Sequence, residues 1–99
     1  MPFDQRIPRP LMPVAVHTYA PTTSGVYGIS NADEWIYIGE TDDIQGALLE
    51  HLREDDTSLM RRRPTGFVFE VCGANRWSRQ DHLVAEYAPY CNRGMARQP

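Results

Sequence analysis

The 99-residue sequence contains no lysine. All 10 basic residues are arginine, and 13 acidic residues outnumber them to leave a net charge of −3. That balance argues against a general nucleic-acid binder, whose surface is ordinarily basic. No apolar run approaches the ~20 residues that a membrane-spanning helix needs. The segment Met1–Pro13 carries Arg6, Arg9 and four prolines but no continuous apolar stretch, so it does not read as a signal peptide and the chain is expected to be cytoplasmic. Cysteine is scarce: Cys72 and Cys91 stand 19 residues apart and neither belongs to a CxxC motif. Both are expected as reduced, half-buried thiols, and with His51 and His82 they show none of the usual zinc-ligand spacings. The length suits one domain and is too short for two.

Residues 1–23 form a proline-rich arm, with Pro2, Pro8, Pro10, Pro13 and Pro21. Proline removes backbone donors and blocks helix interiors, so most of this arm is expected to be extended or irregular. Within it, Leu11–Tyr19 reads as an edge strand with Val14, Val16 and Thr18 on one face. Gly25–Ser30 and Trp35–Gly39 are β-rich runs joined by Asn31-Ala32-Asp33, the signature of an antiparallel hairpin. A helix is expected next, with Asp42 as N-cap, Gln45 in capping-box position and Ile44, Leu48, His51 and Leu52 along one face. Asp55-Asp56 close that run, and Ser58–Pro64 reads as a polar, arginine-rich loop. Gly66–Cys72 alternates as a third strand. A second helix follows, capped by Ser78 with Trp77 as a staple, striped by Leu83, Val84 and Tyr87, and stopped by Pro89. The tail 94–99 is expected to be loose. The order β-β-α-β-α defines an α+β domain: a small, mostly antiparallel three-stranded sheet flanked by helices.

Gly25-Val26-Tyr27 followed by Tyr37-Ile38-Gly39, on the two strands of the hairpin and ahead of a helix, resembles the signature of the GIY-YIG nuclease superfamily. The resemblance continues through Gln80-Asp81-His82-Leu83-Val84, Pro89 and Asn92 and covers residues 24–93. It implies that Tyr27 and Tyr37 face each other across the hairpin, with Gly39 and His51 beside them in a remnant site. In active members the matching tyrosines activate or orient the attacking water. An arginine on the first helix contacts the scissile phosphate, and a glutamate on the later helix holds a divalent metal. Phosphodiester hydrolysis gathers negative charge that a cation and a metal neutralise. Here the arginine position holds Ala47 and the glutamate position holds Gln80, a neutral amide and a poor magnesium ligand. The turn Glu40-Thr41-Asp42-Asp43 adds carboxylates where a DNA backbone would approach.

The resemblance therefore implies a nuclease-like domain without catalysis, used for binding or regulation. A weak or altered metal-dependent endonuclease is the alternative, recruiting Glu40, Asp43 or Asp81 to hold the metal. A homodimeric interaction module, formed through the arm or an edge near Val14 and Val16, is a second alternative. No cofactor is expected, or Mg²⁺ or Mn²⁺ if activity remains. The partner is expected to be DNA or a protein, with no membrane. Gly25 and Asn92 are assigned structural roles, and Arg61, Arg62 and Arg63 are candidate contacts to phosphate or an acidic partner.

Overall fold

The computed structural model describes Phe3 and residues 7–53 and 58–92. In chain order the elements are strand β1 (Arg9–Pro10), helix α1 (Pro13–Tyr19), strands β2 (Gly25–Ser30) and β3 (Trp35–Thr41), helices α2 (Ile44–Arg53) and α3 (Ser58–Arg61), strand β4 (Gly66–Val71), helix α4 (Arg76–Tyr87) and a closing 3-10 turn, Tyr90–Asn92. The strands form one antiparallel sheet in the order β1-β4-β2-β3.

The sheet has four strands where the sequence pattern shows three. The extra one, β1, is only two residues long and pairs Arg9 with Phe67 and Pro10 with Gly66. A proline is tolerated there because β1 lies at the sheet edge.

The expected strand over 11–19 is a helix instead. Pro13 occupies the first helical turn, where its missing N–H would lack a partner in any case. Val14 is 74% exposed while Val16 is fully buried, so the two valines lie on different sides, as a 3.6-residue period requires. Thr18 is exposed and donates its hydroxyl to the Val14 carbonyl at 2.8 Å. The segment Ser58–Pro64, expected as a loop, begins as α3, which buries Leu59. Glu54, Asp55, Asp56 and the tail beyond Asn92 lie outside the described residues.

Strand β2 is central and buried along its whole length. On one face of the sheet, Tyr27, Ile29, Phe67 and Ile36 pack with Ala15, Val16 and Ala20 around α1, with Ile44 and Leu48 of α2, and with Leu59 of α3. On the other face, Val26, Ile38 and Val68 pack against Leu83 of α4 and against Phe3. The result is a helix–sheet–helix stack with β3 at one sheet edge.

Candidate functional site

Tyr27 stands in the middle of β2 and pairs across the hairpin with Gly39; Tyr37 pairs with Ile29. The tyrosines are therefore diagonal neighbours on one face rather than directly opposed, with ring centroids 6.0 Å apart and planes inclined at 51°. Gly39 makes the meeting sterically feasible. A side-chain carbon there would lie 2.7 Å from the Tyr27 hydroxyl and 2.8 Å from the Tyr37 ring. Gly39→Ala is expected to push the rings apart at a cost on the order of 1–3 kcal/mol, the range for overpacking a filled site. Urea unfolding checks this; an unchanged midpoint would contradict the packing. At Gly25 an added carbon would collide with the Glu70 carbonyl oxygen and the Ile44 side chain, which suits this position to glycine.

Helix α2 is capped one residue later than the sequence suggested. Asp43, not Asp42, accepts from the Gly46 N–H at 3.0 Å, and Thr41 Oγ1 accepts from the Asp43 N–H at 3.0 Å. No Asp42–Gln45 capping box forms, because Gln45 binds elsewhere. Its N–H donates to the Pro21 carbonyl at 2.9 Å and its side-chain amide to the Ala20 carbonyl at 3.0 Å, tying α2 to the end of α1. Buried Ile44 and Leu48 seat the helix on the sheet, and half-buried Ala47 packs beside them. One turn beyond Ala47, on the same helix face, comes His51. Its Nε2 shares a 2.8 Å hydrogen bond with the Tyr27 hydroxyl, and its ring meets Tyr37 at 5.5 Å in an edge-on arrangement.

Burial pushes the Tyr27 phenol far above its ordinary range, and nearby Tyr37 and Glu40 push it further. The hydroxyl therefore keeps its proton, and a tyrosinate base at this position is strongly disfavoured. Glu40 itself is held by Arg76 at 2.8 Å. With Asp43 spending an oxygen on the helix cap, the turn after Gly39 presents less bare carboxylate than its sequence implied; Asp42 is its exposed member.

Helix α4 starts at Arg76, two residues before the expected Ser78 cap. Asn75 precedes it without a side-chain capping bond. The Ser78 hydroxyl instead donates to the Asn75 carbonyl at 3.0 Å. Trp77 is 51% exposed and is not a staple; the Arg76 guanidinium lies 4.3 Å from its ring centre. Arg76 and Gln80, one turn apart, both reach β3. The buried Gln80 amide donates to the Ile38 carbonyl at 3.1 Å. Asn92 grips the same residue twice: its amide donates to the Ile38 carbonyl at 3.1 Å, and its carbonyl oxygen accepts from the Ile38 N–H at 2.8 Å. Arg76 is the residue of this region that sequence reading passed over. Its partner Glu40 lies 36 positions upstream, so only the i, i+4 spacing to Gln80 hinted at it.

The arginine cluster does not act as a unit. Arg62 makes a bidentate pair with Glu34 at 2.9 and 2.8 Å and stacks 3.8 Å from the Tyr90 ring centre. That fork is committed to joining the hairpin turn to the closing 3-10 turn. Arg61 and Arg63 are exposed, and Arg63 adopts a left-handed backbone with φ of 56°.

The donor set does not fit a divalent cation. Among the described residues no three His, Cys, Asp or Glu side chains gather as a metal site. Gln80 turns its amide hydrogens onto Ile38, Glu40 is paired to Arg76, and exposed Asp81 points about 100° around α4 from Gln80. Both cysteines are free and half-buried. No helix among the described residues is long and apolar enough to cross a membrane.

Sheet order, hairpin and flanking helices together define the fold of a GIY-YIG endonuclease domain. In particular, the chain is similar to solved structures of the GIY-YIG N-terminal endonuclease domain of UvrC from Thermotoga maritima. One, an asparagine-to-alanine point mutant bound to its catalytic divalent cation, is 21% identical with a TM-score of 0.65, over 76% of this chain and 91% of that one. Another, bound to magnesium, is 21% identical with a TM-score of 0.65, over 76% of this chain and 92% of that one. At this identity the likeness is one of fold. No family model matches the chain, and no curated protein matches it.

Proposed function

We propose that this chain is a catalytically silent domain of GIY-YIG fold, retained for binding or regulation through the half-buried Tyr37–His51 surface, with DNA or a protein as partner. The observation that carries this reading is Gln80. It stands where the resemblance puts a metal-binding glutamate, and its side chain does what an ionised carboxylate cannot: it donates to the Ile38 carbonyl. Ala47, with no charge to offer a phosphate, and a Tyr27 phenol locked in its protonated form by burial support the same reading. Losing one charge-stabilising donor typically lowers a rate by roughly two to three powers of ten. The chain stands two such groups short.

The alternative of an altered nuclease would require Glu40, Asp43 or Asp81 to abandon the positions described above. The dimer alternative loses its proposed edge, since Val14 and Val16 belong to a helix and Val16 is buried. Purified protein incubated with plasmid and short duplex DNA in Mg²⁺ or Mn²⁺ is expected to leave both uncut. Cutting that disappears in Tyr37→Phe would overturn the reading.

A further inference from the structure

Strand β3 is a sheet edge: among the described residues, β2 lies on one side and no strand on the other. In an antiparallel ladder, alternate residues of an edge strand aim both N–H and C=O outward. Ile38 is such a residue: its single N–H donates to the Asn92 side chain at 2.8 Å, and its carbonyl accepts from Asn92 and from Gln80, each at 3.1 Å. Ladder alternation gives the Glu40 backbone the same orientation, and its side chain is pinned by Arg76 at 2.8 Å. The primary amide of Asn92 offers one donor and one acceptor side by side, the pair a backbone residue of a neighbouring strand would supply. It thus stands in for a missing fifth strand at the centre of β3.

The composition of that edge explains why it needs covering. Trp35-Ile36-Tyr37-Ile38 is strongly β-prone and contains no proline or lysine to discourage pairing. It is also self-complementary. A second copy of β3 laid antiparallel about a two-fold axis through Ile38 would exchange both backbone bonds of Ile38 with its own equivalent, an isologous contact. In that register Glu40 lies across from Ile36 of the second copy, so no like charges are directly opposed. We propose that Asn92, assisted by Gln80, is a latch occupying the self-pairing position of β3, and that freeing it converts the chain into a dimer joined β3 to β3. This inference is independent of whether the domain is catalytic.

Sedimentation velocity over a wide concentration range tests it. The full chain is expected to be monomeric, and Asn92→Ala to show a concentration-dependent doubling of mass. In the dimer, the Ile38 amide regains slow hydrogen exchange as concentration rises. A second variant guards against a simple folding defect. Asn92→Asp keeps the acceptor but loses the donor and places a charge against the Ile38 carbonyl. It is expected to dimerise at neutral pH and return toward monomer below about pH 4, where a protonated carboxyl can donate again. A folded, monomeric Asn92→Ala or Asn92→Asp at neutral pH overturns the proposal. So does failure of both variants to fold, which would make Asn92 a purely structural tie. A dimeric unsubstituted chain overturns it as well.

Discussion

Gln80→Glu is expected to destabilise the domain by about 2–3 kcal/mol at neutral pH, although glutamate is the residue that the GIY-YIG resemblance would put at this position. The side chain is 7% exposed and donates to a backbone carbonyl at 3.1 Å. An ionised carboxylate there has no proton to give and would set oxygen against oxygen in a desolvated setting. The sign with pH follows from that. The new carboxyl would titrate higher in the folded chain than in the unfolded one. Below about pH 4 the carboxyl is protonated in both states and can donate to Ile38 when folded; the penalty grows as pH rises from there through the higher folded-state value. Chemical denaturation of both proteins at acidic and neutral pH measures this. A variant as stable as the parent at neutral pH in metal-free buffer would contradict this.

Phe3→Ala is expected to cost about 3–5 kcal/mol, the usual range for deleting a buried aromatic ring. For a domain of this size that is a large share of a total stability on the order of 5–15 kcal/mol. Phe3 is 5% exposed. It stacks on Trp35 at 5.8 Å and on Tyr87 at 6.0 Å, and these two rings meet each other at 4.5 Å. Its N–H also donates to the Tyr87 hydroxyl at 3.2 Å, so the residue closes the α4 face of the sheet through ring and backbone together. Offset aromatic pairs of this kind add to the area they bury. Phe3→Leu should recover part of the loss by refilling volume. Equilibrium unfolding in urea reads both variants; a loss under about 1 kcal/mol for Phe3→Ala would mean that the α4 face closes without this ring.

The central architecture was legible because its segments declare their periods. Gly25–Ser30 and Trp35–Gly39 alternate around a polar turn, and Leu83, Val84 and Tyr87 mark one stripe of α4. The N-terminal region was illegible for a physical reason. Val14, Val16 and Thr18 alternate like a strand, and Pro13 reads as a breaker, yet a proline in the first turn suits a helix whose inward face needs only Ala15 and Val16. A two-residue strand such as β1 carries no periodic signal at all. Phe3, isolated among polar residues and prolines, gives no local sign that it completes a core built from residues beyond position 25.

At the site, residue identities were readable and their employment was not. The hairpin spacing brought Tyr27, Tyr37 and Gly39 into view. What Gln80 does there depends on Ile38, 42 positions away, and what Glu40 does depends on Arg76. The α2 cap slipped by one residue, and the α4 cap by three, from Ser78 to Asn75, which makes no side-chain capping bond. Asp43 rather than Asp42 won since Thr41 holds its N–H and the loop after α1 supplies the remaining acceptors.

Calorimetric titration of the unsubstituted protein with Mn²⁺ and Mg²⁺, beside the Ala47→Arg/Gln80→Glu double variant, bears on the main claim more directly than any other measurement. That claim is that the cleft kept its frame but surrendered its metal anchor and its phosphate-facing cation. The account predicts no saturable heat from the parent at millimolar metal, and a binding signal in whatever fraction of the double variant folds. A saturable heat from the parent that is lost on changing Tyr37 to Phe would contradict it.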